Sequence, residues 1–459
     1  MRTKRFTCVI LGLAVTACSV GPDYERPVTE TPKAWSGAQN DSSWPSEKWW
    51  KGFNAAELDR LMEAAKQANF DLAAAVARLK QANAQAQIAG GALWPALSAG
   101  GYGERLREQP SYKTGTKIFS AGLTASYELD FWGQLRDQAE AARLAARASE
   151  FDRETAELTV QSLVADSYFS LLSLNERVHL AEENIRAAEG VLDAYKARFE
   201  VGTASELDLA QQQNVVDEQR ALLPPLIEQQ RQTRDALAVL VGSLPEQLAL
   251  PQGTLDKVTV PPVAAGLPSG LLARRPDVQS AEAQLQSANA NVKAAIASLF
   301  PTITLTAQGG GIANTLSDLF KPAGVFYALQ SDVNQPIFKG GALAGGVDLA
   351  RGQYDVQTAL YRKTVISAFA DAEDALAAIE MEAKREVAQA ASVASARKAY
   401  DIAQAQLYSG TIDILTVLNT QRSLFAAEDE LAQARLGHAQ AVVGLYKALG
   451  GGWQSPEEG

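Results

Sequence analysis

The chain has 459 residues and a formal net charge of −11, from 42 Lys and Arg against 53 Asp and Glu. That acidic balance, with no basic face, excludes a nucleic-acid partner, because phosphate binding needs clustered Lys or Arg. Its two histidines, His179 and His438, lie far apart, and no nucleophile–His–acid set, phosphate loop or metal-ligand spacing is present. The expectation is therefore a non-enzyme with neither cofactor nor metal site.

The N-terminus carries the strongest local signal. Arg2, Lys4 and Arg5 precede a short apolar run from Phe6 to Val15, and Val15-Thr16-Ala17-Cys18 puts small residues before a cysteine. This is the pattern of a bacterial lipoprotein signal: residues 1–17 are removed and Cys18 becomes an acylated N-terminus. A plain secretory signal that contains a cysteine is the alternative. Cys8 leaves with the signal, so the mature chain retains one cysteine and no internal disulfide. Ser19, rather than the aspartate associated with inner-membrane retention, favours the outer membrane. At about 0.8 kcal/mol per buried methylene, several acyl carbons make a stable anchor. Residues 18–54 form the anchored N-terminal segment, in which Trp35, Trp44, Trp49 and Trp50 read as packing anchors rather than a ligand site.

No later segment approaches the roughly 18 consecutive apolar residues of a spanning helix, so a membrane crossing would have to be a closed β-barrel. A duplication organises the rest of the chain. Leu93-Trp94-Pro95-Ala96-Leu97 is answered by Leu299-Phe300-Pro301-Thr302-Ile303, Phe131-Trp132 by Ile337-Phe338, and Val201-Gly202-Thr203 by Ser409-Gly410-Thr411. These pairs divide the chain into a first repeat at 55–243, a linker at 244–270, a second repeat at 271–449 and a tail at 450–459. The linker, with Pro245, Pro251, Pro261, Pro262 and Pro268, reads as a surface crossing. Pro276 and Asp277 read as the next helix start.

Each repeat contains alternating segments. In Leu123-Thr124-Ala125-Ser126-Tyr127-Glu128-Leu129-Asp130 and in Thr302-Ile303-Thr304-Leu305-Thr306-Ala307-Gln308, apolar and polar residues swap strictly. A period of two gives a strand with one greasy and one wet face. Each such hairpin interrupts long helices and is expected to have no partner sheet in the chain, which favours a membrane barrel over a half-exposed soluble sheet. Gln134 to Phe199 lacks proline and could run roughly 100 Å as a helix at 1.5 Å per residue. Val417, Leu424, Leu431, His438 and Leu445 recur every heptad, with Leu418, Phe425, Ala432, Ala439 and Tyr446 beside them. Such stripes imply supercoiling against neighbouring helices, with His438 packed or at the rim.

Two hairpins supply about four strands, too few to close a barrel, for which about eight is the smallest size. Three copies would give about twelve, inside the outer-membrane range.

The chain resembles the TolC family of outer-membrane efflux proteins, and more closely its OprM-like lipoprotein branch (the NodT-type efflux outer membrane subunits). The resemblance rests on Cys18-Ser19-Val20-Gly21-Pro22-Asp23-Tyr24 and on Trp49-Trp50 with Phe53. It continues through Leu271-Leu272-Ala273-Arg274-Arg275-Pro276-Asp277-Val278, Phe300-Pro301 and Leu445-Tyr446-Lys447-Ala448-Leu449-Gly450-Gly451-Gly452-Trp453. It implies a mixed α and β fold: a trimeric outer-membrane β-barrel, with about four strands per chain, continuous with a long periplasmic coiled-coil helical barrel. It also implies passive conduction of drugs or other small solutes, with a periplasmic adaptor and an inner-membrane pump of the resistance-nodulation-division type as partners. Carried over residue by residue, it places Leu415, Asn419 and Arg422 around the periplasmic aperture, Leu415 as a plug and Arg422 as a lock between helices. The family commonly has aspartate where Asn419 stands; Asp208 keeps an acidic option open. Leu415 as heptad core and Arg422 as a solvated face are the bland alternatives. Gly202, Thr203, Gly410 and Thr411 are ordinary helix-breaking turns that the resemblance also puts at the adaptor contact.

Other classes are a non-transporting coiled-coil structural lipoprotein, which explains the heptads but not the amphipathic hairpins, and the outlet of a type I protein secretion system. With only Met1, Met62 and Met381, a methionine-lined soft-metal path is not expected.

Overall fold

The computed structural model describes residues 19–35, 44–106, 116–249, 251–266, 268–409 and 411–454, so Cys18 and Gly410 lie outside the described residues. The helices are α1 (Ala56–Ala68), α2 (Phe70–Gly91), α3 (Gln134–Glu200), α4 (Glu206–Leu240), α5 (Pro268–Arg274), α6 (Pro276–Ala297), α7 (Ala342–Tyr408) and α8 (Ile414–Ala448). The strands are β1 (Ala96–Leu106), β2 (Thr116–Glu128), β3 (Thr302–Ala313) and β4 (Val325–Asn334). The duplication extends to element lengths: α2 and α6 have 22 residues each, α3 and α7 have 67, and α4 and α8 have 35. No helix among the described residues is long and apolar enough to cross a membrane.

By contact the chain divides into two compact units, and both repeats contribute to each. One unit holds the described residues up to Val28, Arg78–Glu150 and Ser280–Arg362. In it β1–β2 and β3–β4 form antiparallel hairpins, and β2 pairs β3, giving a single sheet in the order β1-β2-β3-β4. The expectation that each hairpin lacks a partner in the chain is thus corrected: the hairpins lie side by side and partner one another. Their register brings the local alternations into phase. Leu97 faces Ala125, Ala125 faces Ala307, and Ala307 faces Leu329; one step along, Ser98, Thr124, Gln308 and Ala328 are aligned. Side chains alternate across a strand, so Leu97, Leu123, Leu305, Tyr327, Leu329 and Val333 share one face with Ala125 and Ala307. Those six large side chains are exposed. Ser126, Glu128, Thr304, Thr306, Gln330 and Asp332 make the other face polar.

At the foot of this sheet, Asp130 accepts hydrogen bonds from the Leu135 and Arg136 amides and so starts α3. Trp132 stacks on Phe300 (4.8 Å between centroids, 24°), and its indole N–H donates to the Pro301 carbonyl at 2.9 Å. The corner leaving β2 in the first copy and the corner entering β3 in the second thereby hold each other. A strap from Ser19 onwards lies along α6. Arg26 forks onto buried Glu282, Tyr24 donates to the same carboxylate, and Lys293 reaches Asp23 at 2.9 Å.

The other unit holds Thr29–Ala77, Phe151–Gln279 and the chain from Lys363 on. Its largest core gathers Trp49, Phe53, Leu58, Met62, Phe169 and Leu237 with Leu255, Val443 and Tyr446. Trp49 stacks on Tyr446 at 4.9 Å, and Phe53 tilts onto Phe169 at 4.7 Å. Trp35 is buried, with its N–H on the Gly266 carbonyl at 3.0 Å, and Trp44 lies under Arg274. The tryptophans are packing anchors in this structure. The Pro-rich segment read as a surface crossing also departs from that reading, because it buries Leu255 and Ala265. Proline and glycine mark the absence of regular structure and carry no information about burial. Along α8 the deep seam is Leu418, Phe425, Ala432, Ala439 and Tyr446, all buried. His438, on the parallel stripe, sets Nδ1 2.8 Å from Glu386 Oε2 of α7 as part of a polar contact between helices.

Candidate gate and helix-tip site

The long helices turn twice, between α3 and α4 and between α7 and α8, and both turns are built alike. Gly202 adopts φ +75, which an L side chain rarely does. The Thr203 amide and hydroxyl both bond the Arg198 carbonyl, at 2.8 and 3.0 Å. In the second copy the Thr411 amide and hydroxyl both bond the Gln406 carbonyl, each at 3.0 Å. The threonine of each Gly-Thr pair therefore closes its helix by satisfying a terminal carbonyl. Arg198 also donates to the Leu407 carbonyl at 3.3 Å, joining the ends of α3 and α7.

The following helices begin with caps of exchanged chemistry. On α4, Ser205 and Asp208 form a reciprocal capping box: the Ser205 hydroxyl accepts from the Asp208 amide at 3.2 Å, and Asp208 Oδ2 accepts from the Ser205 amide at 2.8 Å. On α8 the carboxylate comes first. Asp413 accepts from the Thr416 hydroxyl at 2.8 Å and its amide at 3.1 Å, and these bonds hold the Asp413 carboxyl below the usual carboxylate range. Asp208, the acidic candidate from the sequence, thus commits one carboxylate oxygen to its own helix start.

Below the caps, Ile414, Val417, Leu418, Leu424 and Phe425 of α8 pack on Val191, Tyr195, Val215 and Val216 of α3 and α4 and on Tyr400 and Leu407 of α7. Leu415, Asn419 and Arg422 all lie on the opposite, exposed side of α8. Their spacing of four and then three residues puts them on one face. Leu415 is 49% exposed, so within this chain it is not heptad core. Arg422 reaches Glu218 of α4 at 3.1 Å, and the Asn214 amide donates to that carboxylate at 2.8 Å. The structure therefore brings Leu415, Asn419 and Arg422 together on one strip, with Asp208 at the head of α4 and Thr203 and Thr411 in the turns.

Sequence reasoning missed Glu218 and two buried amides. Gln212 donates to the Ala188 carbonyl at 2.8 Å, while Gln421, fully buried between Leu418 and Leu424, makes no side-chain hydrogen bond among the described residues. A polar residue inside the heptad stripe was the available signal for Gln421. No cluster of His, Cys, Asp or Glu among the described residues could hold a metal ion.

A sheet with one apolar face exposed, whose hairpins alternate along a duplicated chain with long helices, defines an outer-membrane channel protein. The outer membrane efflux protein family model matches residues 61–243 and 267–451, once for each copy. The chain belongs to this family and is an outer-membrane efflux channel subunit. It is 39% identical over 469 residues to the Pseudomonas putida pyoverdine export outer membrane protein OpmQ, covering 99% of each chain. It is 30% identical to the Escherichia coli cation efflux system protein CusC over 97% of this chain and 98% of the other. The open state of the Neisseria gonorrhoeae MtrE outer membrane channel is similar in structure, with a TM-score of 0.88 and 31% identity over 95% of this chain and 99% of that one.

Proposed function

We propose that three copies of this chain close a shared barrel that passively conducts small solutes outward from a tripartite efflux system. The carrying observation is the sheet: one face is apolar and exposed, and the outer edges of β1 and β4 meet no further strand among the described residues. Lipid satisfies neither unpaired backbone groups nor polar side chains, so these edges must meet other edges, and three copies give about twelve strands around a polar lumen. The helical ends at Thr203 and Thr411, with Gly202 and Gly410, are the contact with a periplasmic adaptor, behind which stands an inner-membrane pump of the resistance-nodulation-division type. Leu415, Asn419 and Arg422 of each copy line the aperture; their shared exposed face supports this. Cys18 carries the acyl anchor, in keeping with the lipoprotein signal. Relatives named for pyoverdine export and for cation efflux both lie within the same likeness, so cargo selection is assigned to the pump rather than to the channel.

Native mass spectrometry of the detergent-extracted protein should give a threefold species, and planar-bilayer recordings should show a small resting conductance that rises in Leu415→Ala and Arg422→Ala. A monodisperse monomer would sink the shared barrel. Unchanged conductance in both variants would move the constriction elsewhere, with Asp208 next to be tested.

A further inference from the structure

Ser19, the first described residue, sits at the mouth of an apolar groove. Its hydroxyl donates to Asp137 Oδ2 at 2.7 Å, and the neighbouring Val20 amide donates to the Trp132 carbonyl at 3.3 Å. Gly133, at φ +84, supports the same spot: a Cβ there would meet Ser19 Cα at 3.1 Å. The strap is therefore tied down at the corner where β2 gives way to α3. Beside it a groove of about 690 Å³ runs between α2 and α3, with Ala86, Gly90, Leu93 and Ala139 among the residues that line it.

We propose that this groove seats an acyl chain carried by Cys18, so that part of the lipid anchor lies against α2 and α3 instead of in the bilayer. The inference rests on the reading of Cys18 as acylated. Ser19, at the groove mouth, is bonded directly to residue 18, and one residue spans only about 3.8 Å, so an acyl chain on Cys18 starts within reach of the groove. The lining suits an unbranched hydrocarbon. Ala86 and Gly90 are one turn apart on α2, Ala139 faces them from α3, and a Cβ on Gly90 would meet nothing within 4 Å. Leu93 adds a larger apolar wall at the α2–β1 corner. Four charged side chains also line it, and each has a partner: Arg143 and Glu140 bond each other at 2.6 and 2.8 Å, Arg136 bonds Asp130 at 3.0 Å, and Asp137 accepts from Ser19. A trough of this kind left to water would keep its apolar surface hydrated, and a tethered acyl chain removes that surface without the entropy loss of capturing a free molecule.

The test uses the full-length protein in its native membrane. Cells are fed a palmitate analogue bearing a diazirine and an alkyne, irradiated, and the purified protein is mapped by mass spectrometry. The Cys18 peptide should carry the label and be cross-linked to peptides containing Ala86–Leu93 and Ala139–Arg143. Cys18→Ala should lose both label and cross-links. Gly90→Trp, and independently Ala86→Phe, should keep the label on Cys18 and the oligomer band but lose the groove cross-links. Label on Cys18 with cross-links only to phospholipid, or to a second copy of the chain occupying the groove, overturns the groove and leaves acylation standing. Absence of label on Cys18 overturns both.

Discussion

Arg275 Nη1 donates to the main-chain carbonyl of Ala448 at 3.3 Å, tying the start of the second repeat to its last helix. The same guanidinium forks onto Asp277 at 2.7 and 3.0 Å and reaches Asp371 of α7 at 3.0 Å, with its side chain only 11% exposed. Two sequence blocks far apart in the chain, one around Arg275 and one from Leu445 to Trp453, thus meet at one side chain. Gly450 supports the junction, because a Cβ there would press on the Arg274 carbonyl.

Removing the buried guanidinium takes away the donor of the Ala448 carbonyl and leaves the more exposed Asp277 and Asp371 carboxylates to water, at a cost of about 1–3 kcal/mol. Arg275→Ala should lower the thermal midpoint of the purified channel well beyond any exposed Arg→Ala control. Arg275→Lys should recover little, since an ammonium cannot fork onto Asp277 while reaching Asp371 and Ala448. Differential scanning fluorimetry in detergent reads both, and a midpoint for Arg275→Ala equal to the control would refute the clamp.

At the gate, Arg422 and Glu218 are each nearly half exposed, so one pair is worth only about 0.2–1 kcal/mol. If three pairs act together, about 0.6–3 kcal/mol in all, the opening equilibrium moves by about threefold to about a hundredfold, because roughly 1.4 kcal/mol is a factor of ten. Arg422→Ala and Glu218→Ala should raise bilayer conductance alike, and the double variant should add nothing to either. Independent, additive effects would show that the pair is not a latch. The difference should shrink at high salt as the exposed charges are screened.

Asn419→Asp tests whether that position faces the pore. A ring of carboxylates one turn or less from Leu415 and Arg422 should raise cation selectivity, measured as a reversal-potential shift in a salt gradient, and should make the conductance sensitive to multivalent cations. A variant with neither effect would place Asn419 away from the aperture.

Asp166 on α3 is pushed up to about 6 by burial, which outweighs the attraction of Lys447. Its folded-state pKa exceeds the unfolded value, so the native state holds the proton more tightly. The associated stability is present below the ordinary carboxylate pKa and is lost as pH rises through about 6. Asp166→Asn should therefore stabilise the protein at pH 7.5 by about 3 kcal/mol, and that gain should fade towards about pH 4. Parallel melts across that range decide it; a gain that does not depend on pH would point to packing instead.

Gln421 offers a separate stability test. Its amide is buried with no bond among the described residues, and a buried unsatisfied group costs about 1–3 kcal/mol. Gln421→Leu should raise the thermal midpoint. A lowered midpoint would mean that the amide finds a partner in the assembled channel.

Much of the fold is legible in the chain itself. The duplication shows as motifs repeated in the same order, while the alternating strands and the heptad seam through Leu418, Phe425 and Tyr446 depend on periods of two and seven residues, which the covalent backbone enforces locally. The capping box at Ser205 and Asp208 is equally local, an S-x-x-D pattern that gives Asp208 a helix-starting role beside its candidacy for the pore. For the candidate site, the choice of Leu415, Asn419 and Arg422 comes from the family resemblance, and their four- and three-residue spacings are what stack them on one helical face.

What only the tertiary structure decided are the pairings between segments far apart in the chain. The alternation in each hairpin specifies a greasy face, but not that β2 lies beside β3 in the register that brings Ala125 opposite Ala307 and merges four such faces into one. The spacing around Arg422 identifies an exposed cation, but not that Glu218, some two hundred residues earlier, receives it. Proline content marks the linker as irregular, but not that Leu255 joins the core that also holds Trp49 and Tyr446. Local periodicity is a property of the backbone, whereas partner choice depends on which surfaces the whole chain brings together, and that is settled by packing.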